Sequence, residues 1–262
     1  MAKAKESTGS NHVKSVLKAF LVMDELDSAG ELSIGEISER LSMDKGTVHR
    51  IVNTIKEAGY VIQNQDNKKY ANSIKLLAMG NRVLERTGIQ KIARPYMKNI
   101  WDKTGETVNV GMMVDGNIIY IDKIESKSPI KVGQGIGTKV PIHCTGMGKV
   151  ILAFTPEPEK NNILNNLNLE RYTPHTFVSK NEFEENINEI MNNGYAIDDE
   201  EYVVGLICIA APIFNHYNIP IAAISISCPK YRFKEDHHKE LFSTLIKEAA
   251  ASISRQIGCS PD

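Results

Sequence analysis

Two helix-start signals lie close together in the N-terminal part of the sequence and restrict what this part can fold into. Ser33 and Glu36 have the spacing of a capping box, in which the hydroxyl accepts an amide hydrogen bond and the carboxylate reaches back. Asp44 is a good N-cap for a second helix, which stops at Gly59. Apolar residues at helical spacing predict a longer helix over residues 12–27. Two short helices joined by a tight turn behind a longer helix predict a helix-turn-helix.

A polar turn and its flanking residues extend this motif. Residues 60–63 and 69–71 are short strand candidates on either side of the polar segment 64–68. A hairpin at this place is typical of the wing of a winged helix. We therefore predict a winged helix-turn-helix domain over residues 11–73. The polar residues 1–10 before it are expected to form a disordered tail.

The helix after Asp44 has a polar face that its buried apolar stripe leaves uncovered. Arginine and asparagine side chains can form paired hydrogen bonds with base edges in the major groove, and helix N-termini favour phosphate. Residues 40–75 contain seven basic and three acidic residues, although the formal net charge of the chain is −1. We expect this surface to bind DNA; a plain solvated face and a protein-interaction module are the alternatives. The expected contacts are Ser33, Lys45, Gly46, Thr47, His49, Arg50 and Asn53, with Lys68 and Lys69 on the wing.

Helices and hairpins follow in the rest of the chain. Residues 74–104 have the apolar spacing of two helices and are predicted to link two domains. These helices are candidates for a dimer contact and for signal transmission, or they simply pack against the next domain. In residues 105–262, Asp115 and Gly116 form a hairpin turn between two strand-like segments, and a last helix is predicted over 235–257. This mixture predicts an α+β domain with helices packed on a largely antiparallel sheet.

Residues 131–154 contain glycines that imitate two nucleotide-binding loops. A phosphate-binding loop requires glycine at position 143 and serine or threonine at 150, where the sequence has His143 and Val150. A dinucleotide-binding loop that begins at Gly133 requires a later glycine at the position of Thr138. Both motifs fail at defining positions. We therefore predict neither a bound nucleotide nor any other cofactor.

The same stretch is better explained as a loop that leads into a helix. Glycines at a helix start expose backbone amides, and the helix dipole favours a small anion there. A carboxylate fits this position better than a nucleotide does. Glycines that serve only a turn or close packing are the alternative. The candidate residues are Cys144, Thr145, Gly146 and Met147.

The remaining composition limits the other classes of function. The four cysteines are scattered and form no CxxC pair, as is typical of reduced thiols in a cytoplasmic protein. No apolar run approaches the roughly 20 residues that span a bilayer, and the polar N-terminus is unlike a secretory signal. Neither His143-Cys144 nor His237-His238 has a convincing metal-ligand spacing. We predict no membrane contact, no metal site and no catalytic residue.

Five stretches of the sequence resemble a known family. They are KGTVHRIVNTIKEAGYV, TGETVNVG, PIHCTGMGKVILAF, NNGYAIDDEEYVVGLICIAAPIF and AAISISCP, in this order. Over residues 11–257 the sequence resembles the IclR family of bacterial transcription regulators. The resemblance implies an N-terminal winged helix, a linker helix and a C-terminal GAF-like sensor domain that binds small carboxylic acids or aromatics. It also implies a dimer or a tetramer.

The resemblance also implies which residues hold an effector. Family sites for keto acids use the amides of the loop before the Gly-Lys helix, which correspond to Gly146 and Met147, together with an acid, a cysteine and two serines. In this sequence the last four are Asp198, Cys208, Ser225 and Ser227. The two serines are two apart on one strand, so both hydroxyls point to one face, and the acid can accept a hydrogen bond from a hydroxyl. Met147 replaces a smaller residue that is common in the family, and it either narrows the pocket or turns away.

Two further stretches point to one group within the family. SVLKAF at 15–20 and ASISRQIG at 251–258 resemble regulators that sense 2-keto-3-deoxygluconate. We therefore expect a transcriptional regulator whose affinity for double-stranded operator DNA is controlled by a small keto acid or sugar acid. The alternatives are an enzyme that acts on a small carboxylic acid, with Cys208, His143 or Cys144 as nucleophile or base, and a metal-responsive regulator.

Overall fold

The chain divides into two units between Val83 and Leu84. The structure is a computed structural model that describes residues 12–128 and 134–259. The predicted tail at 1–10 and Gly133 lie outside the described residues. Each unit has its own clusters of buried hydrophobic residues. The division falls inside the predicted linker, and the domain bounds stay a prediction.

The first unit begins with three helices and a hairpin. Helix α1 (Lys14–Ala29) is followed by α2 (Ile34–Leu41) and α3 (Lys45–Glu57), with a short turn between the last two. Strands β1 (Val61–Gln63) and β2 (Tyr70–Asn72) pair in antiparallel fashion and form the hairpin after α3. The predicted winged helix-turn-helix is therefore confirmed.

Local hydrogen bonds start both short helices at the predicted residues. Ser33 Oγ accepts from Glu36 N at 3.3 Å, and the Glu36 carboxylate accepts from Ser33 N at 2.7 Å. The Asp44 carboxylate accepts from the amides of Gly46 and Thr47, both at 2.9 Å. The apolar faces of the three helices then pack together with the hairpin. Their buried residues are Val22, Leu26, Leu32, Ile37, Val48, Val52, Ile55, Val61 and Tyr70.

Two more helices follow the hairpin. Helix α4 (Lys75–Thr87) buries none of its residues, whereas α5 (Ile89–Thr104) buries one face in the second unit. Gly88 separates them at φ 68°, a left-handed conformation that favours glycine. The buried residues of α5 are Ile89, Ala93, Met97 and Ile100. Helix α5 is therefore part of the core of the second unit.

A six-stranded sheet forms the centre of the second unit. Its strands are β3 (Thr107–Val114), β4 (Asn117–Ile124), β5 (Lys139–Pro141), β6 (Ala196–Asp199), β7 (Leu206–Phe214) and β8 (Pro220–Pro229). They lie in the order β5-β4-β3-β8-β7-β6, and each neighbouring pair is antiparallel. The predicted turn at Asp115 and Gly116 joins β3 to β4, with φ 49° and 69° at the two residues. The edge strands β5 and β6 were not predicted, because segments so short show little periodicity.

Helices cover both faces of this sheet. Helices α6 (Gly146–Phe154) and α8 (Lys180–Asn193) pack on one face, and α9 (Glu235–Ile257) packs with α5 on the other. Helix α7 (Glu159–Asn166) lies between α6 and α8 in the sequence, and a 3-10 turn at Lys230–Arg232 precedes α9. The expected α+β architecture with a mainly antiparallel sheet is confirmed. Among the described residues, no helix is both long enough and apolar enough to cross a membrane.

Candidate functional site

The outer face of α3 is open to solvent. Lys45, Gly46, His49 and Arg50 are exposed, and Thr47 and Asn53 are half-buried. The side chains of His49 and Asn53 lie one turn apart and approach within 3.3 Å. Arg50 and Thr47 also border a groove between α1 and α3. None of the predicted contacts on this helix is buried, so each can reach a ligand from solvent.

The first amides of α3 are occupied within the helix cap. Gly46 N and Thr47 N both donate to the Asp44 carboxylate, and hydrogen bonds from Thr47 and Gly46 lower the pKa of Asp44. The sequence predicts that the N-terminus of this helix favours phosphate. Because Asp44 takes these two amides, neither is free to donate to a phosphate.

The wing and the capping box share a carboxylate. Lys69 Nζ donates to Glu36 Oε1 at 2.9 Å, and hydrogen bonds from Ser33 and Lys69 lower the pKa of Glu36 to about 2. Ser33 and Lys69 therefore hold the start of α2 and the wing together. Lys68 lies at the exposed tip of the wing with φ 59°. Of the two wing lysines, Lys68 is the better placed to reach a phosphate.

A small cavity lies between the start of α6 and the sheet in the second unit. The predicted residues in its wall are Thr145, Gly146, Met147, Asp198, Cys208 and Ser225. Tyr120, Gln134, Tyr202 and Leu206 also line it. The cavity has a volume of about 10 Å³, which is room for about one water molecule. Two predicted residues, Cys144 and Ser227, are buried beside the cavity and are not part of its wall.

The first turn of α6 lies in the wall of this cavity. Thr145 is the N-cap, and its hydroxyl accepts from Gly148 N at 3.3 Å. The hydrogen-bond ladder of the helix begins at Lys149 N, which donates to Thr145 O at 2.9 Å. The amides of Gly146 and Met147 precede this ladder and have no intrahelical acceptor. They can therefore donate to an anion in the cavity.

The side chain of Met147 narrows the cavity. It is 3% exposed and packs with Ile118 and Tyr120 on the sheet. Its methyl carbon lies 3.2 Å from the position that a Cβ on Gly111 would take. Of the two interpretations made from the sequence, inward packing is the one observed.

A buried polar network supports the serine side of the cavity. Asn109 Nδ2 donates to Ser227 Oγ at 3.2 Å and to Ser225 Oγ at 3.5 Å, and Cys208 Sγ donates to Ser227 Oγ at 3.2 Å. Because the serine oxygens accept these bonds, their own hydroxyl hydrogens stay available to donate. Asn109 was not predicted to take part. The sequence signal that could have identified Asn109 is a single amide side chain between Val108 and Val110 in an otherwise apolar strand.

Three ionisable groups are buried together beside the cavity. Lys149 Nζ forms a salt bridge with Glu201 Oε1 and donates to Ile197 O at 2.7 Å. Glu201 N donates to Asp198 Oδ1 at 2.8 Å. Burial, followed by the negative charge of Glu201, raises the pKa of Asp198 to about 8. Lys149 thus connects α6 to the turn after β6. This connection lies next to Asp198, which is in the cavity wall.

The thiols and the histidine near the cavity are poorly suited to nucleophilic catalysis. Burial raises the pKa of Cys144 and of Cys208, and a protonated thiol is a weak nucleophile. Burial lowers the pKa of His143, and its Nε2 lies 2.9 Å from Glu170 O rather than beside a thiol. The described residues contain no group of three or more His, Cys, Asp or Glu side chains that could hold a metal ion. This geometry supports binding of a ligand more than catalysis of a reaction.

Both units of the chain match known protein families. Residues 15–65 match the IclR helix-turn-helix domain, and residues 81–255 match the C-terminal domain of the bacterial transcriptional regulator IclR. The chain is 36% identical over 246 residues to the HTH-type transcriptional regulator KdgR of Dickeya chrysanthemi, which covers 94% of this chain and 80% of that protein. It is 34% identical over 258 residues to KdgR of Escherichia coli strain K12, with 98% of each chain covered.

A solved structure agrees with the fold as well. The crystal structure of the Thermotoga maritima IclR matches with a TM-score of 0.71 at 34% sequence identity, covering 94% of this chain and 100% of that chain. The matched segments contain the exposed face of α3 and the residues around the cavity at α6. Sequence, fold and site therefore lead to one conclusion: the protein belongs to the IclR family of bacterial transcriptional regulators.

Proposed function

We propose that this protein regulates transcription by binding double-stranded operator DNA through its winged helix-turn-helix and a small organic acid in the cavity at α6. The observation that carries the proposal is the meeting of hydrogen-bond donors in that cavity. Gly146 and Met147, whose amides precede the hydrogen-bond ladder of α6, lie in its wall together with Ser225 and Asp198. Donors held in a dry site favour an anion with several acceptor oxygens.

A keto acid or sugar acid is the effector class that fits best. Its carboxylate would accept from the amides of Gly146 and Met147, and its keto or hydroxyl oxygens would reach Ser225 and Asp198. Two relatives that cover most of this chain carry the name KdgR, and parts of the sequence resemble regulators of the 2-keto-3-deoxygluconate type. We therefore take 2-keto-3-deoxygluconate as the first candidate effector.

Binding of such an acid would change the second unit. The cavity has a volume of about 10 Å³, far less than a six-carbon acid occupies. At least one wall residue must move when the acid enters, and the narrowing side chain of Met147 and the ring of Tyr202 are the nearest candidates. A ligand that binds one conformation better than another shifts the population between them. This shift would be the signal that alters operator affinity.

On the DNA side, α3 would lie in the major groove. Arg50 and Asn53 are placed to contact base edges, while Lys45 and Lys68 are placed to contact phosphates. Lys69 and Ser33 would act by holding the wing and α2 in position, since both bond to Glu36. Regulators of this architecture read two half-sites, so two copies of the winged helix are required.

A second copy of the chain would cover the apolar surface of the first unit. Helix α1 exposes Phe20 and Leu17 to 59% and 51%, and the start of α4 exposes Leu77 to 57%. These helices also border a groove of about 760 Å³ with a mostly apolar lining. Large exposed apolar patches mark interaction sites. We infer a homo-oligomer, a dimer or a tetramer, in which this surface is shared.

The DNA-binding part can be tested with duplexes selected from a random pool by the purified protein. We expect Arg50→Ala to weaken binding of the selected duplex about 5- to 150-fold, because a paired arginine–base contact contributes about 1–3 kcal/mol of discrimination. Lys91→Ala removes an exposed positive charge from α5 and serves as the matched control. Equal affinity of the Arg50→Ala protein and the control would exclude α3 as the recognition helix.

The effector part can be tested by thermal shift with keto acids, sugar acids and aromatic acids. An effector raises the melting temperature because it binds only the folded protein. We expect 2-keto-3-deoxygluconate to produce such a rise and Ser225→Ala to reduce it while leaving binding of the selected duplex intact. Ser243→Ala, a change at another buried serine on α9, is the control. An equal rise in melting temperature in the unsubstituted protein, Ser225→Ala and Ser243→Ala would show that Ser225 does not bind the effector.

A further inference from the structure

The buried cluster beside the cavity contains more carboxyl groups than cations. Lys149 is fully buried, and its ammonium contacts Glu201 and the carbonyl oxygen of Ile197. Asp198 is 3% exposed and accepts from Glu201 N rather than from the ammonium. With both carboxyls ionised, the cluster would hold one uncompensated negative charge in a buried place. That charge would lie in the wall of a cavity that binds an anion.

The other groups that face Asp198 supply no positive charge. They are the phenol of Tyr120 from β4, the thiol of Cys208 from β7, the thiol of Cys144 before α6 and the phenol of Tyr202. Burial raises the pKa of all four groups, so they stay neutral near neutral pH. The same burial, together with Glu201, brings the pKa of Asp198 to about 8. Asp198 is therefore the group in this set that changes its charge near neutral pH.

We infer that Asp198 binds the effector as a neutral carboxylic acid, which donates its hydroxyl hydrogen to an oxygen of the acid anion. The anion and one proton then occupy the site together. The inference rests on the proposed function, since it concerns the same cavity, and it reverses the role of hydrogen-bond acceptor that the sequence suggested for Asp198. No covalent bond changes apart from that proton, which is taken from solvent whenever Asp198 is ionised before binding.

The rest of the wall supports a donor at this place. The amides of Gly146 and Met147 are donors, and Asn109 leaves the hydroxyl hydrogen of Ser225 free to donate. An ionised Asp198 would be the one charged acceptor in this set and would repel a carboxylate. A neutral Asp198 completes a cavity of donors, which selects an acid anion over an uncharged polyol of similar size.

Isothermal titration of the full chain with 2-keto-3-deoxygluconate between pH 6 and 9.5 tests the inference. The carboxyl of the ligand is ionised throughout this range, so its own titration does not change the measured Kd. We expect a Kd that is constant below about pH 7 and rises about tenfold per pH unit above about pH 8. Buffers of different ionisation enthalpy should show uptake of about one proton per site at pH 9 and little uptake at pH 6.

Two variants separate a neutral donor from an ionised acceptor. Asparagine keeps a donor that does not titrate, so Asp198→Asn should bind the acid about tenfold more tightly than the unsubstituted protein at pH 9, with a Kd that is independent of pH. Weaker binding by Asp198→Asn at pH 9 would overturn the inference. Glu201→Gln frees the charge of Lys149 to favour ionised Asp198, so the break in the pH profile should move to lower pH. A break that stays in place or moves upward contradicts the role of Glu201.

The remaining outcomes distinguish this inference from the proposed function. If the unsubstituted protein binds none of the keto acids and sugar acids of the thermal-shift screen at any pH, the proposed effector class is wrong and the inference falls with it. If it binds with the same Kd from pH 6 to 9.5, the inference alone is overturned. A carbon-13 NMR titration of the Asp198 carboxyl without ligand is an independent check. A carboxyl that is already ionised at pH 6 would overturn the inference whatever the ligand.

Discussion

Gly148 shows how a single missing side chain allows α6 to pack closely against the loop that precedes it. A Cβ at this position would overlap the backbone of Ile142, and backbone atoms cannot move aside without shifting the loop before α6. We expect Gly148→Ala to lower the free energy of unfolding by about 2–3 kcal/mol. Gly80 in α4 has open space around its Cβ position, so Gly80→Ala should raise stability by about 0.5–1 kcal/mol. Denaturant unfolding measures both, and effects of the same sign would contradict this account.

The buried carboxyl of Asp198 also affects stability without any ligand. Its pKa in the folded protein is about 8, above the value of about 3.9 expected for an unfolded chain. The folded state therefore holds an extra proton between pH 4 and 8, and stability falls as pH rises through this window. Asparagine carries no titrating proton, so Asp198→Asn does not lose stability in this window, and we expect its melting temperature to exceed that of the unsubstituted protein at pH 8 by more than it does at pH 5. Calorimetry at pH 5 and pH 8 checks this, and a difference that does not grow with pH would argue against it.

At the scale of elements, the start of α2 depends on the capping box. Ser33 satisfies the amide of Glu36, and loss of an N-cap side chain costs about 1 kcal/mol. We expect Ser33→Ala to destabilise the first unit by this amount and Ser33→Asn to restore most of it, since asparagine is an equally good cap. Amide hydrogen exchange in α2 is the measurement. Equal exchange in the two variants would show that the hydroxyl does not support the helix.

The elements with strong local patterns were predicted close to their observed ends. The capping residues Ser33 and Asp44 marked the starts of α2 and α3, and the turn at Asp115 and Gly116 marked the hairpin of β3 and β4. The edge strands β5 and β6 were missed. They have three and four residues, and they exist because longer neighbours offer them backbone partners. Pairing with a distant strand leaves no signal in a short local window.

At the scale of the whole molecule, the apolar surface of α1 and α4 predicts self-association. Phe20→Glu places a charge in this surface, and we expect it to halve the molar mass measured by sedimentation or to lower the association constant at least tenfold. Because Phe20 is 59% exposed, the change should cost the single chain little stability. Lys14→Glu alters charge on the same helix at a polar position and is the control. An unchanged molar mass for Phe20→Glu would show that the interface between the copies does not include this surface.

The sequence by itself determined the helix starts, the hairpin at Asp115 and Gly116, the wing, the absence of complete nucleotide-binding motifs and the polar outer face of α3. These features depend on neighbours within a few residues, so local chemistry is enough to reveal them. Only the tertiary structure showed that Asn109 orients the serines, that Lys149 pairs with Glu201, and that Asp198 is buried without a cation of its own. Each of these facts depends on contacts between residues far apart in the chain. The protonation state of Asp198 is set by burial and by neighbouring charges, so it follows from the folded structure and not from residue type.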